Sequence, residues 1–291
     1  MRVLFFLLSV VTFLVAFDID KIDVVSYKIP KGQTALLKFT PQKGIDYKSI
    51  SVGKKQFQIF LMPNSSDKMY ALVPFSYYEK PENKEVFIHY KEATEEKKES
   101  MLLKVTEGTY EKETIEVDSS KVNPKSKEIK ARISREYKEA MQIYGTVTPL
   151  SYIKEPFILP LKSKITSDFG KARVYNGSLK GYHSGTDFRA KVGTPIIASN
   201  RGKVVLVKDR FYSGGTVLID HGEGIYTCYF HMSVFKVSEG SMVKRGEILG
   251  FSGKSGRVTG PHLHFSARIN AVQVDPLQLI EIMNKNLLTG N

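Results

Sequence analysis

Four of the six histidines in this chain lie in three short segments of its C-terminal half, and any fold of the chain has to accommodate that clustering. His183 and Asp187 are four residues apart, His262 and His264 are two apart, and His231 lies between the two pairs. Alternate residues of a β-strand point to the same face, so a strand over the second pair would hold both imidazoles side by side. The Ser-Gly-Thr segment before Asp187 is not a helical pattern and indicates a loop that enters a strand.

These residue types suit a metal site. Imidazole and carboxylate are ligands that zinc accepts in hydrolytic sites, where three protein ligands are usual. A lone histidine is more often structural, and we interpret His89 and His221 in that way, with His221 solvated or hydrogen-bonded in a turn. A His-x-His pair together with a His-x-x-x-Asp segment is harder to explain by packing, because buried imidazoles need polar partners.

The segment from Ser167 to Pro276 resembles the catalytic domain of lysostaphin/LytM-type zinc peptidases, which cleave peptide bonds in bacterial peptidoglycan. The resemblance covers about the last 130 residues, and its combined motifs are specific. They include Tyr182-His-Ser-Gly-Thr-Asp187, Val217-Leu-Ile-Asp-His-Gly222, Tyr229-Phe-His-Met-Ser233, Lys244-Arg-Gly-Glu-Ile-Leu-Gly250 and Thr259-Gly-Pro-His-Leu-His-Phe265.

The resemblance implies a role for each residue of the cluster. His183, Asp187 and His264 would be the ligands of one zinc ion per catalytic domain. His231 and His262 would be the catalytic imidazoles beside it, one as general base and the other as a proton donor or as a group that stabilises the oxyanion. Which of the two is the base stays open, and substrate-binding residues are unknown at this level.

Charge and composition limit the classes of binding partner that are expected for this chain. The chain of 291 residues has 43 Lys and Arg against 30 Asp and Glu, and residues 162–291 have 18 against 9. A basic C-terminal half favours polyanionic material such as the bacterial cell wall. No nucleic-acid-binding motif is found, so nucleic acid is not an expected partner. Arg173 is interpreted equally well as part of a solvated loop or as a substrate contact.

The first 16 residues are typical of a signal peptide, with Arg2 followed by an apolar run. Cleavage after Ala16 is expected, although Leu14 is not a small residue and an uncleaved anchor stays open as the alternative. The protein is therefore predicted to be exported to the periplasm or cell envelope. Cys228 is the only cysteine, so it cannot form an intrachain disulfide, and strand parity predicts that it faces away from His231 into the core.

The expected fold class is mostly β. Short strands separated by turns predict a small β-sandwich-like accessory domain over residues 17–110. Residues 111–150 are expected to form a linker containing an amphipathic helix over 126–144, and residues 151–291 a LytM-type antiparallel-β catalytic domain that includes a short helix around Leu277–Met283. The apolar stripe of the linker helix consists of Ile129, Ile133, Tyr137, Met141 and Tyr144.

Three functions compete at this level. The first is a zinc-dependent peptidoglycan hydrolase that cleaves stem-peptide cross-links, a D,D-endopeptidase with D,D-carboxypeptidase activity as a further option, acting in wall remodelling and cell shape. The second is a catalytically inactive relative that binds the wall or activates another hydrolase. The third is a non-enzymatic adhesin or envelope-binding protein. In the first reading, the upstream helix or the β-domain is a candidate cover for the site.

Overall fold

The computed structural model describes residues 17–122, 124–177 and 179–288. The predicted signal peptide over residues 1–16 lies outside this range. The described chain is mostly β, which confirms the predicted fold class. No helix among these residues is both long enough and apolar enough to cross a bilayer.

The N-terminal part forms a β-sandwich. One sheet has the strand order β1-β3-β7-β6, and the facing sheet has the order β2-β9-β8-β4-β5. Residues of both sheets, such as Leu37 and Ile88, share one buried apolar cluster. The strands are β1 (Ile22–Val24), β2 (Lys28–Pro30), β3 (Thr34–Phe39), β4 (Ile45–Val52), β5 (Lys55–Gln58), β6 (Phe60–Leu61), β7 (Met69–Pro74), β8 (Asn83–Glu92) and β9 (Glu95–Thr106).

The segment between the two parts of the chain contains a strand as well as the predicted helix. Strand β10 (Lys112–Ile115) pairs in parallel with a strand of the C-terminal part. Helix α1 (Lys127–Tyr144) follows, and the side chain of Ser126 accepts a hydrogen bond from the backbone N–H of Ile129 as its N-cap. The helix begins and ends within one residue of the predicted span.

The C-terminal part is built on a sheet with the order β11-β14-β21-β18-β17-β16-β19. Strand β20 pairs with β15 and β18, β22 pairs with β21, and β10-β12-β13 form a smaller sheet. The elements are β11 (Ile165–Ser167), β12 (Ala172–Tyr175), β13 (Leu179–Tyr182), β14 (Thr186–Arg189), β15 (Pro195–Ile197), β16 (Gly202–Arg210), β17 (Gly214–Asp220), β18 (Ile225–Phe235), β19 (Met242–Val243), β20 (Ile248–Ser252), β21 (His262–Ile269), β22 (Val272–Val274) and helix α2 (Pro276–Met283).

The N-terminal sandwich is fused to the C-terminal part by a shared core. Leu36, Tyr70 and Leu72 lie in the same buried cluster as residues of the large sheet and α2. At this contact the hydroxyl of Tyr70 donates to Oε2 of Glu223 at 2.5 Å. Burying apolar surface contributes about 25 cal/mol per Å², so this contact favours one fixed arrangement of the two parts.

Helix α1 packs on the face of the large sheet opposite to the core that this sheet shares with the sandwich. Two predictions are wrong in this region. Cys228 is buried beneath α1, with its Sγ 3.4 Å from the hydroxyl of Tyr144. It pairs with Ser266, two residues from His264, so it lies on the same face as the metal-site residues instead of facing away from them. Tyr137, predicted to belong to the packed stripe, is 64% exposed because α1 buries mainly its last turn, with Ala140 and Tyr144.

Candidate metal centre

The predicted site residues come together because two neighbouring strands hold them in register. In the antiparallel pair of β14 and β21, Asp187 lies directly opposite His264, and Arg189 lies opposite His262. Directly opposite residues share a face with Cβ atoms about 5 Å apart. Leu263, between the two histidines, is completely buried in the core on the other face, as the alternation predicts. His183 follows β13 and completes the group.

His231 reaches the same place through a break in strand β18. The first half of the strand pairs with β21 as far as Phe230, and the second half pairs with β20 from Met232 onward. His231 lies at this change of partner with φ of +62°, in the left-handed region that non-glycine residues rarely adopt. The break re-aims its side chain, so His231 lies beside His262 with their ring centroids 4.7 Å apart.

Three donor atoms form a tight triangle. His183 Nε2 lies 2.9 Å from Asp187 Oδ1 and 2.9 Å from His264 Nδ1, and the last two atoms are 2.8 Å apart. His183, Asp187 and His264 are all buried, and they form a group that could hold a metal ion. His262 Nε2 is next, 3.6 Å from the same carboxylate oxygen.

The donor chemistry of the triangle fits a cation. His183 Nδ1 lies 2.8 Å from the carbonyl oxygen of Asp168, which can only accept, so Nδ1 carries the proton of the neutral ring. Its Nε2 lone pair then faces a carboxylate oxygen, which is also an acceptor. A proton on His264 can satisfy one edge of the triangle but not all three, whereas a cation shared by the three atoms satisfies every edge.

The electrostatics keep the donors in their metal-binding forms. Burial lowers the pKa of His264 to about 4, and Asp187 opposes this only in part. Burial by itself raises the pKa of Asp187, but hydrogen bonds to His183 and His264 outweigh it and hold that pKa well below its usual value. Burial, with smaller contributions from His262 and His264, places the pKa of His231 well below its ordinary value. The imidazoles of His231 and His264 are therefore neutral near pH 7, and the carboxyl group of Asp187 is ionised.

A model of peptidase family M23 matches residues 181–276, which include all five predicted site residues. The chain carries a domain of peptidase family M23. The resemblance inferred from the motifs is thereby confirmed.

Relatives and a solved structure agree with this assignment. The M23 region is similar to the peptidoglycan DD-endopeptidase ShyA of Vibrio cholerae (38% identity over 118 residues, 40% of this chain and 27% of the relative). It is also similar to the DD-carboxypeptidase/endopeptidase Mpg of Neisseria meningitidis (43% over 97 residues, 33% of this chain and 22% of the relative). The chain thus spans about a quarter of the length of these relatives. A crystal structure from Pseudomonas aeruginosa, named as a peptidase M23, has a TM-score of 0.66 and 27% identity, over 86% of this chain and 94% of that one.

Support for the site comes partly from outside the matched M23 region. Arg173 Nη2 donates to Asp187 Oδ2 at 3.2 Å and to Ser167 Oγ at 3.0 Å, and Arg173 Nε donates to Glu113 Oε2 at 3.0 Å. Arg173 thus orients the metal-site carboxylate, which is neither of the two roles considered from the sequence. Glu113 belongs to β10, so the upstream segment adds a residue to the network around the M23 site.

The site opens into a small cavity of about 170 Å³. His183, His231 and His264 form part of its wall, and Tyr182 and Tyr212 belong to the rest. Tyr182 is also stacked on Tyr77 of the N-terminal sandwich, with ring centroids 4.1 Å apart and planes 3° from parallel. The sandwich therefore contacts the rim of the M23 site. No residue of α1 is found in the wall of this cavity in the part of the chain that the structure describes.

Sequence patterns missed several residues at the site. Glu113 is distant along the chain and carries no local motif. Arg257, another residue of the cavity wall, lies five residues before His262 in a glycine-containing loop, and that proximity is the one signal that could have identified it. Tyr226 and Tyr229, which come shortly before His231 in the chain, are buried and lie outside the cavity wall.

Proposed function

We propose that this protein is a zinc-dependent peptidoglycan hydrolase of the cell envelope. It acts as a D,D-endopeptidase that cleaves stem-peptide cross-links, and it also trims stem peptides as a D,D-carboxypeptidase. The observation that carries the proposal is the triangle of His183 Nε2, Asp187 Oδ1 and His264 Nδ1 with edges of 2.8–2.9 Å, flanked by two further imidazoles. A cavity opens onto this group, which gives a peptide access to it.

His183, Asp187 and His264 would hold the zinc ion. When bound, zinc polarises a carbonyl group and lowers the pKa of water toward about 7. The hydrogen bond from His183 Nδ1–H to the Asp168 carbonyl fixes the ring so that Nε2 is the donor atom. Arg173 holds the second oxygen of Asp187, so the first oxygen stays directed at the triangle. Partners of this kind typically change metal affinity 10–100-fold.

His231 and His262 would carry protons. Each places Nδ1 at hydrogen-bond distance from a backbone carbonyl oxygen, that of Ser255 at 2.8 Å and that of Gly260 at 2.9 Å. Since a carbonyl only accepts, Nδ1 holds the proton in both neutral rings, and each Nε2 has a free lone pair. Either Nε2 can take a proton from water and, once charged, can give it to the leaving amide nitrogen or donate to the developing oxyanion.

The substrate class follows by analogy with the relatives. ShyA is named a peptidoglycan DD-endopeptidase, and Mpg a DD-carboxypeptidase/endopeptidase. The basic C-terminal half of this chain, with 18 Lys and Arg against 9 Asp and Glu over residues 162–291, suits an anionic wall polymer. A substrate in the wall also agrees with export by the predicted signal peptide.

The test combines metal content with wall digestion. The protein beginning at Phe17 is purified, its zinc is measured by mass spectrometry, and it is incubated with purified peptidoglycan whose fragments are identified by mass. One zinc per chain and release of cross-linked peptides at the D,D bond are expected. Intact cross-links in the presence of bound zinc would instead favour an inactive wall-binding protein.

Variants separate the ligands from the proton carriers. His264→Ala should lose zinc and hydrolysis together, whereas His262→Ala should keep zinc and lose turnover. His89→Ala is the matched control, because this histidine lies on β8 in the sandwich and bonds to Ser51 Oγ at 2.7 Å. The control should retain both properties. Hydrolysis that survives either site substitution would refute the assigned roles.

A further inference from the structure

Arg257 lies in the wall of the M23 cavity, with its guanidinium group against two tyrosine rings. It lines the same 170 Å³ space as His183, His231 and His264. Its guanidinium carbon lies 4.4 Å from the ring centroid of Tyr175 and 4.7 Å from that of Tyr212. Aromatic faces stabilise a cation at these distances, and the two rings restrict where the guanidinium can go.

The backbone beneath Arg257 is fixed as well. Its N–H donates to the carbonyl oxygen of Tyr212 at 2.8 Å. This hydrogen bond joins the loop that contains Arg257 to the loop that follows β16. The preceding Gly256 has φ of +83°, and a Cβ there would lie 2.4 Å from the same carbonyl oxygen. Only glycine fits so close an approach. Both the main chain and the side chain of Arg257 are therefore held in place.

The charge of Arg257 is not neutralised within the described chain. The other arginine of the cavity wall, Arg173, is paired with Asp187 and Glu113. Among residues 17–122, 124–177 and 179–288, no carboxylate lies within ion-pair distance of Arg257, although its side chain is only partly exposed. A guanidinium has five N–H donors in one plane, a geometry that matches both oxygens of a carboxylate.

We infer that Arg257 binds a free carboxylate of the peptide substrate and so positions the scissile bond at the metal centre. This inference rests on the proposed hydrolase function. The ligand is a peptide with an ionised carboxylate near the cleaved bond, either the terminal carboxylate of a stem peptide or the carboxylate of an acidic side chain. Arg257 acts as a specificity residue, whereas His231 and His262 handle protons.

Steady-state kinetics on a defined cross-linked peptide test the role. Arg257→Gln should raise KM about 10- to 100-fold, the loss expected for a charge-assisted bidentate contact. The zinc content, the thermal unfolding temperature and kcat should stay close to those of the parent protein. Arg257→Lys, which keeps the charge but not the fork, should fall between the two. Arg201→Gln is the matched control, because Arg201 is exposed and outside the cavity wall, and it should change nothing.

Amidated substrates identify the carboxylate. Peptides in which either the terminal or the side-chain carboxylate is converted to an amide are compared for the parent protein and Arg257→Gln. Amidation of the recognised group should raise the KM of the parent protein by the same factor as the substitution, and the substitution should then add nothing further. Equal losses for Arg257→Gln on all three substrates would overturn the inference, as would an unchanged KM on the unmodified peptide.

Binding without turnover separates this inference from the function on which it rests. Calorimetric titration of the zinc-loaded His262→Ala protein with uncleaved peptide should give an affinity that falls about 10-fold or more when Arg257→Gln is added. If the parent protein binds the peptide through Arg257 but cleaves nothing, the hydrolase proposal fails and the recognition role stands. If cleavage occurs and binding ignores Arg257, the recognition role fails alone.

Discussion

The buried imidazole of His221 should make the protein lose stability in mild acid. His221 is fully buried between β17 and β18, where Nδ1 donates to the carbonyl of Arg201 at 2.7 Å and Nε2 lies 2.7 Å from Thr227 Oγ1. Burial lowers its pKa from 6.5 to about 4, and the bond to the Arg201 carbonyl opposes this only weakly. The native state therefore holds the neutral ring, while the unfolded chain takes up a proton near pH 6.5.

The size of the effect follows from these two pKa values. Because the folded-state pKa is the lower one, the unfolded chain binds more protons between the two values, and stability falls as the pH falls through that window. The stability is fully present above about pH 6.5, and the full difference corresponds to about 3 kcal/mol. Between pH 7.5 and pH 4.5, about 2 kcal/mol of it should be lost.

Urea unfolding at several pH values measures this loss. The chain lacks tryptophan, so circular dichroism is the suitable probe. His221→Gln keeps a donor and an acceptor but does not titrate, and it should be less stable than the parent at pH 7.5. The gap between the two proteins should close by about 2 kcal/mol as the pH is lowered to 4.5. Parallel pH curves for the two proteins would show that burial of His221 does not govern its protonation, and would refute the reasoning.

Three further outcomes are expected. Arg173→Gln should weaken zinc binding about 10- to 100-fold in a competition with a chelator, because the metal-site carboxylate loses its outer partner; unchanged affinity would contradict the support role. Gly185→Ala should also weaken zinc binding, since a Cβ there would lie 2.6 Å from His264 Nε2, and an unchanged chelator titration would show that the loop yields freely. Burial raises the pKa of the Cys228 thiol to about 11, so this thiol should react slowly with a thiol reagent in the intact chain. It should react faster in a chain that lacks residues 1–149, where α1 no longer covers it. Equal rates in the two chains would exclude shielding by α1.

The centre of the site could be predicted because its geometry is local. His262 and His264 are two residues apart on one strand, so strand alternation alone places them together with Leu263 on the other face. The choice of His183, Asp187 and His264 as the ligands rests on the motif resemblance, whereas the pairing that sets Asp187 opposite His264 is visible only in the structure. The helix over 126–144 was predictable for the same reason, because its apolar spacing and cap are local signals.

What the sequence did not reveal depends on pairings between distant segments. Glu113 reaches the site because β10 adds to β12 in parallel, and no short-range pattern encodes that choice. The predicted sheet face of Cys228 is wrong because strand alternation does not continue through His231, where a positive φ interrupts it. Tyr137 belongs to the predicted apolar stripe but is exposed, because a helical stripe shows which side of a helix is apolar but not how much of its length packs against a partner.

In the proposed mechanism, the backbone conformation of His231 favours catalysis at a cost to folding. A left-handed conformation costs a residue with a side chain about 1–2 kcal/mol, a penalty that glycine escapes. Mutational drift that favours robust folding would therefore push this position toward glycine and remove an imidazole from the reaction centre. A homologue with glycine at this position and the three donor residues intact would fold more easily but would lack the proton carrier proposed for His231. Such a homologue could be identified from this single position of its sequence.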